Sequence, residues 1–480
     1  MNKITNSDIQ SQIYLTIKQK LSVNKYKKYL FILKQMCIYS KQLYNESLLY
    51  INNYYKQFNQ YIQYNNLQKR MQNNSINYKI LNAQVACNTI ELLDNNFKSF
   101  FKLKQMNYKG NIPKYIQNNY FLCMTNKIHI QNNYWYIPLS KQFMKQYNIK
   151  NNRYRPKIKI PKILRNKKIE FIKIVPKNNG NYFEIQYSYL KDIRIQKKQE
   201  KNYLSIDLGI NNLATCVAYK HNTKDIFKSF IIDGKNLKSI NQFCNKQLKY
   251  YQKRNTNKNL VFTKRMHRII QKRNDQVNYY IHKTSKYIIN YCKKNYIDTI
   301  ILGWNGSLYK CPKLGRKNNQ HFMYIPLGKL KDNLIYRCKK DNIKIIMQEE
   351  SYTSKANFMN NDYMPKYENK KILTLTNKIE LRKIKFSGRR EYRGLYNTNI
   401  KTQSLKALAK ARKNKIMKIN ADMNGSLNIL RKYLLHKRKN KVEDLTILYM
   451  SNEIQKLYKD IKRVIDYRGA LMAPIRLRIT

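Results

Sequence analysis

The stretch YLSIDLGI, Tyr203–Ile210, constrains this chain more than any other. It is written as a buried strand: Leu204, Ile206 and Leu208 surround a single acid, Asp207. An ionisable group in a strand built for burial needs a partner. A second strand, Ala214–Tyr219, follows at once, and Lys228–Ile232 reads as a third. Basic helices then run through about Asn236–Tyr251 and Arg265–Lys294. Thr299–Gly303 and Asn342–Gln348 are buried-type strands, and Ala421–Tyr433 has helical spacing. Consecutive strands followed by helix–strand units describe an α/β layer of the RNase H-like kind.

The upstream half has a different texture. Ile13–Leu21 reads as a strand, and Lys25–Gln57 and Ile76–Leu103 as helices joined by an Asn- and Gln-rich link. From Gly110 onward, prolines punctuate short runs: Lys127–Gln131, Trp135–Leu139, Glu170–Val175 and Tyr182–Tyr189. These read as strands of a small barrel or sheet. A β element therefore begins, helices interrupt it, and it resumes.

Charge narrows the partners. The 480 residues hold 96 Lys+Arg against 27 Asp+Glu, a formal charge of +69. Self-repulsion of that size disfavours a compact chain left alone, and a polyanion relieves it. A/T-rich codons account for part of the Lys excess but not for the scarcity of acids. Tyr, at 42 residues, can stack on bases as well as pack in a core. No apolar run is long enough to span a membrane, and no isolated basic amphipathic anchor stands out. Met1–Gln12 is polar, so no secretory leader is expected. The eight Cys include no CxxC pair, which argues against a zinc ribbon or redox pair and fits a reducing compartment.

Against so few acids, three stand out. Asp207 is mid-strand. Glu350, with Glu349 beside it, ends the run IKIIMQ at the C-terminal edge of a strand, where open α/β sheets bind ligands. Successive strand residues face opposite sides, so only one of the two glutamates can point into a shared site. Asp422 opens the helix in INADMNGSLNILRK, where a carboxylate can cap or ligate. Three carboxylates from separate elements suit hard divalent cations, Mg²⁺ or Mn²⁺, and two-ion phosphodiester hydrolysis. Read singly, each acid is also an ordinary strand-end, turn or cap residue.

DLGINNLAT (Asp207–Thr215), EESYTSKANF (Glu349–Phe358), FSGRREYRGLY (Phe386–Tyr396) and NADMNGSLNILRK (Asn420–Lys432) closely resemble the TnpB family. These are transposon-encoded, RNA-guided DNA nucleases related to type V CRISPR effectors. Upstream the resemblance is weaker, carried by QLYNESL (Gln42–Leu48), Gln84 and GNIPKY (Gly110–Tyr115). It implies a RuvC-like nuclease domain at 199–350 and 416–480, with Asp207, Glu350 and Asp422 as catalytic metal ligands. It further implies a wedge-like β-barrel at 1–23 and 111–198, a helical recognition insertion at 24–110, and a target-nucleic-acid-binding insertion at 351–415. The implied partners are a guide RNA made from the transposon end and target DNA. The expected location is the cytoplasm or nucleoid, with an organellar or viral host left open.

Two departures from the family pattern matter. The strand that usually carries the second-motif Glu reads TIILGWNGS here, with Gly303 at that position, so the role passes to Glu350, with Glu349 in reserve. The CxxC pairs that usually follow Thr-Ser-Lys are absent, so no zinc is expected, and hydrogen bonds or packing must replace its cross-link. Lys264, Arg265, Arg268, Lys272 and Arg273, on the helix KRMHRIIQKRNDQ, are expected to contact phosphates. The main rival reading is an RNA-guided DNA-binding protein without cleavage. A guide-independent strand transferase or resolvase is the second.

Overall fold

The computed structural model describes residues 9–21, 23–106, 110–118, 120–149, 155–178, 180–195, 202–220, 229–256, 262–305, 325–360, 362, 364, 386–392, 394–398, 417–439 and 474–478. It divides into two units, Gln10–Ile193 and a second made of Met1–Ile9 with Arg194–Thr480.

In the first unit, β1 (Ile9–Lys20) buries Leu15 and half-buries Ile13 and Ile17, while Gln12, Tyr14 and Thr16 stay exposed. α1 (Val23–Phe58) turns Leu33, Met36, Cys37, Leu43, Leu48 and Ile51 into the core. Part of the Asn- and Gln-rich link is helical: α2 (Tyr64–Asn74) buries Leu67 and Met71. The expected helix Ile76–Leu103 is two helices, α3 (Ile76–Ile80) and α4 (Ala83–Gln105). Leu81 is extended, and the Asn82 side chain accepts from Gln84 N at 3.2 Å, which starts a new helix. The β segments are β2 (Cys123–Thr125), β3 (His129–Gln131), β4 (Tyr134–Tyr136), then α5 (Lys141–Gln146), β5 (Lys157–Lys159), β6 (Ile169–Lys177) and β7 (Tyr182–Ile195). They pair in two sheets, β1-β7-β6-β2 and β3-β4-β5. Trp135, Phe143, Phe183 and Tyr187 are buried in the same core as the helices.

The second unit is a mixed α/β layer. β8 (Asn202–Leu208), β9 (Asn212–Lys220) and β10 (Phe230–Asp233) form an antiparallel meander. α6 (Lys235–Thr256) and α7 (Lys264–Lys294) lead to β11 (Thr299–Gly303), which pairs parallel to β8. α8 (Leu327–Lys340) leads to β12 (Lys344–Gln348), parallel to β11. The short strands β13 (Gly388–Tyr392), β14 (Leu395–Thr398) and β15 (Met417–Asn420) form a separate antiparallel sheet that runs straight into α9 (Ala421–Lys439). β16 (Ile475–Leu477) closes the main sheet, whose order is β12-β11-β8-β9-β10-β16.

Strand alternation sorts the two faces of that sheet. Leu204, Ile206, Ile300 and Leu302 pack with Val277 and Ile281 of α7 and Leu330 and Leu334 of α8. Tyr203, Val217, Tyr219, Ile231 and Ile301 pack with Met423, Leu427 and Leu430 of α9. Asp207 has the parity of Tyr203, so β8 points it toward α9.

Candidate active site

The acids are placed by backbone approach. Ser205 Oγ donates to Ser426 O at 2.5 Å and Ser426 Oγ to Ser205 O at 3.2 Å, which clamps α9 onto β8. Next to that clamp stands Gly425, where a Cβ would lie 2.7 Å from Asp207 Oδ2. A mid-helix glycine costs stability, and here it is what lets the carboxylate lie against the helix. Asp207 keeps some accessible surface. Its carboxyl is held well above the usual range, first by the crowding of protein around it, then by the charges of Glu350 and Asp422, with Arg390 opposing.

Glu350 comes from the other end of the sheet. Trp304 N donates to Gln348 O at 2.9 Å, carrying the ladder just past Gly303. The chain then turns sharply, with Tyr352 in the left-handed region at φ 63° and Thr353 Oγ1 donating to Glu350 O at 2.8 Å. A Cβ on Gly303 would sit 2.5 Å from Ile429 Cδ1 and 2.9 Å from Glu350 Oε2. The Glu350 carboxylate therefore reaches the space that a side chain at 303 would enter. Burial, then the charge of Glu349, pushes the Glu350 carboxyl up to about 7, against a backbone hydrogen bond at Asn305 and the charge of Lys432.

Glu349 goes elsewhere. Lys432, almost wholly buried, donates to its Oε2 at 2.5 Å and to Ser351 O at 3.1 Å, while Ser351 N donates to Glu349 Oε1 at 2.7 Å. Burial opposes ionisation of Glu349, but these donors outweigh it and hold its carboxyl below the usual value. The two adjacent glutamates are thus split, one ion-paired and one lacking an ion pair with Lys432.

Asp422 is not the helix cap. Asn420 takes that role, its Oδ1 accepting from Asp422 N at 3.1 Å and Met423 N at 3.2 Å. The Asp422 carboxylate is left to accept from Asn212 Nδ2 at 2.5 Å and from Arg390 Nη2 at 3.2 Å. Asn212 is oriented in turn by Arg476, which donates to its Oδ1 at 3.1 Å. The donor chemistry of Asp207, Glu350 and Asp422, all hard oxygens, fits a divalent cation of the Mg²⁺ type. Two raised carboxyl pKa values mark negative charge that the protein itself leaves undercompensated. Among the described residues, however, no group of three His, Cys, Asp or Glu side chains is placed to hold a metal ion as it stands.

The remaining polar residues of the α9 motif hold the segment after Glu350. Asn424 Oδ1 accepts from Phe358 N at 3.0 Å and its Nδ2 donates to Ala356 O at 2.8 Å. Asn428 Nδ2 donates to Thr353 O and Ala356 O at 2.8 and 2.7 Å. Asp362 ties this segment to the β13 side: its Oδ2 accepts from Asn357 N and Ser387 N at 2.8 and 2.9 Å, and its Oδ1 from Ser387 Oγ at 2.7 Å. A carboxylate hub therefore provides a hydrogen-bonded cross-link between the two segments. Most of the expected insertion 351–415, including 365–385 and 399–415, lies outside the described residues.

On α7, Lys264, Arg268 and Lys272 form an exposed stripe at four-residue spacing. Arg265 is exposed but lies over the Tyr251 ring, 4.8 Å from its centroid. Arg273 is drawn inward, donating to Asn241 Oδ1 of α6 at 2.7 Å and to Asn274 Oδ1 at 2.8 Å, which pins the two helices together. Sequence reasoning did not reach Asn212, Arg390, Asp362, Asn424, Asn428 or Lys432. The Asn spacing in NADMNGSLN, with 420, 424 and 428 one turn apart, was the available signal.

Residues 184–305 match the family OrfB_IS605, described as a probable transposase. Over this segment the chain is TnpB-like. The match covers about a quarter of the chain; it contains Asp207, Asn212 and Gly303 and stops short of Glu350 and Asp422. No curated protein sequence matches. Among solved structures, the chain is similar to a protein in a Cas12f1–sgRNA–target DNA complex, at 15% identity over 87% of this chain and 98% of that one, with a TM-score of 0.29. It is also similar to a protein in a CRISPR–Cas12f ternary complex, at 14% identity over 85% of each chain, with a TM-score of 0.30.

Proposed function

We propose that this protein is an RNA-guided DNA endonuclease that hydrolyses DNA phosphodiesters at a single RuvC-like site. The observation that carries this reading is the pairing of Asp207 with Glu350. In a chain of charge +69, two carboxylates from separate segments, one on β8 and one in the turn after β12, carry raised pKa values, and the charge of Glu350 is one of the causes at Asp207. The strand order β10-β9-β8-β11-β12, three antiparallel and two parallel, supports an RNase H-like layer beneath them. The TnpB-like segment supports the transposon-associated assignment.

Asp207, Glu350 and Asp422 would hold a divalent cation, Mg²⁺ or Mn²⁺. When bound, such an ion would acidify water and offset charge on the phosphate. The chain's own residues prepare that site. Lys432 engages Glu349 and removes it from competition. Gly303 and Gly425 leave room for the Glu350 and Asp207 carboxylates. Asn212 orients Asp422 Oδ2. The exposed stripe Lys264, Arg268 and Lys272, with Arg265, would track phosphates.

The domain division follows from the same reading: a wedge-like barrel at 1–23 and 111–198, helical recognition at 24–110, nuclease at 199–350 and 416–480, and a target-strand insertion at 351–415. The partners would be a transposon-end guide RNA and target DNA, in the cytoplasm or nucleoid. No helix of the described residues is long and apolar enough to cross a membrane.

The test is protein carrying its co-purified RNA, incubated with matched DNA and Mg²⁺. Strand breaks are expected, and they should vanish in Asp207→Ala and Glu350→Ala while DNA binding persists. Binding without breaks, unchanged by Asp207→Ala, would establish the DNA-binding reading instead. Breaks that need no RNA would point to a guide-independent strand transferase or resolvase.

A further inference from the structure

Asp422 is held in a way that neither other acid is. Both of its oxygens accept from side chains: Oδ2 from neutral Asn212, Oδ1 from the Arg390 guanidinium. Arg390 reaches it from β13, beside the register shift between Arg390 and Tyr392. Arg389 and Tyr392, its neighbours on that strand, are exposed. The ion pair is itself open to solvent, with the Arg390 side chain 43% exposed and Asp422 28% exposed.

Three physical consequences follow. A guanidinium stays charged at every working pH, so only displacement removes it. A pair this exposed is weak, so displacement is feasible. A divalent cation on Asp422 Oδ1 and a guanidinium on the same oxygen repel each other, so each weakens the binding of the other. Arg390 also lowers the pKa of Asp207, so its charge acts on more than one acid of the cluster.

We propose that Arg390 is a stand-in cation, an internal latch that occupies Asp422 in the metal-free protein and competes with divalent metal for it. The proposal rests on the reading of Asp207, Glu350 and Asp422 as a metal site.

The test is Mn²⁺ binding to the full chain without nucleic acid, followed by electron paramagnetic resonance, with circular dichroism and thermal unfolding confirming the fold. Arg390→Ala and Arg390→Gln should each bind Mn²⁺ about tenfold more tightly than the unmodified protein. Each should also show a larger rise in Tm on Mn²⁺ addition. Arg390→Lys, which keeps the charge, should stay close to the unmodified protein. Unchanged or weaker Mn²⁺ binding in folded Arg390→Ala or Arg390→Gln overturns the latch, as does an Arg390→Lys protein that behaves like Arg390→Ala. If Asp207→Asn leaves Mn²⁺ binding unchanged, the metal site itself is wrong and the latch falls with it.

Discussion

The two faces of the six-stranded sheet are both buried, yet they are held by different forces. Toward α7 and α8 the contacts are hydrocarbon: Ile206, Ile300 and Leu302 against Ile281, Leu330 and Leu334. Toward α9 the helix buries Asn424, Ser426, Asn428, Arg431 and Lys432 among its apolar residues. Their partners lie on β8, the turn after Glu350, and Asp362. An apolar face tolerates repacking, because hydrophobic contact is non-directional. A polar buried face does not, because each lost partner leaves a desolvated group. One face carries stability, and the other fixes where carboxylates sit.

Two substitutions separate these roles most sharply. Asp207→Asn, on the α9 face, should reduce RNA-guided DNA cleavage by about 10³-fold or more, measured under single-turnover conditions, while thermal stability is kept or rises. Leu330→Ala, on the opposite face, should do the reverse. Leu330 is fully buried, so its truncation should cost about 2–5 kcal/mol in denaturant unfolding. Cleavage by the remaining folded protein should be little changed. If Leu330→Ala abolished cleavage without a stability loss, the division between the faces would be wrong.

The same contrast explains what could be read from the residues in order. Alternation around Leu204 and Ile206 puts Asp207 on a definite side of its strand, since period-two burial is a local property. The break at Leu81 and the cap at Asn420 were less legible, because a capping side chain competes with several polar neighbours of equal propensity. The preference for Glu350, with Glu349 in reserve, comes from the family pattern and not from any local difference between the two. What separates them in the structure is Lys432, which engages Glu349 from a helix far along the chain. The Arg390–Asp422 pair likewise joins distant segments, and nothing local distinguishes Arg390 from Arg389. Arg273, expected among the phosphate contacts, has a partner on a neighbouring helix that no local pattern announces.

Charge left undercompensated on the α9 face also has a pH signature. Glu350 has a carboxyl pKa raised from 4.5 to about 7, so between those values the folded state binds more protons than the unfolded state. The Glu350 contribution to the stability of the metal-free protein therefore falls as pH rises from about 4.5 to 7, with the full cost present above 7. That cost is about 2–3 kcal/mol after allowance for solvent screening. Glu350→Gln removes it. The variant should be more stable than the unmodified protein by that amount at pH 8 and no more stable below pH 4.5, in denaturant titrations with chelator. A gain that persists at pH 4 would mean that packing, not charge, is responsible.

Glycines give the finest comparison, since the same added methyl meets opposite surroundings. On the α9 face, a Cβ at Gly303 would meet Ile429 Cδ1 at 2.5 Å and Glu350 Oε2 at 2.9 Å. Gly303→Ala should therefore cost about 1–3 kcal/mol through overpacking and should lower cleavage by shifting the carboxylate. On the apolar side, Gly328 lies in the first turn of α8, with nothing within 4 Å of its built Cβ. Gly328→Ala removes backbone freedom from the unfolded chain and clashes with nothing, so it should stabilise by up to about 1 kcal/mol. Cleavage should be unchanged, because α8 packs on the face of the sheet opposite the one toward which Asp207 points. Shifts of opposite sign in unfolding midpoint, the larger one for Gly303→Ala, would sharpen the division between the faces. Destabilisation by Gly328→Ala would show that the start of α8 is packed more tightly than its open surroundings imply.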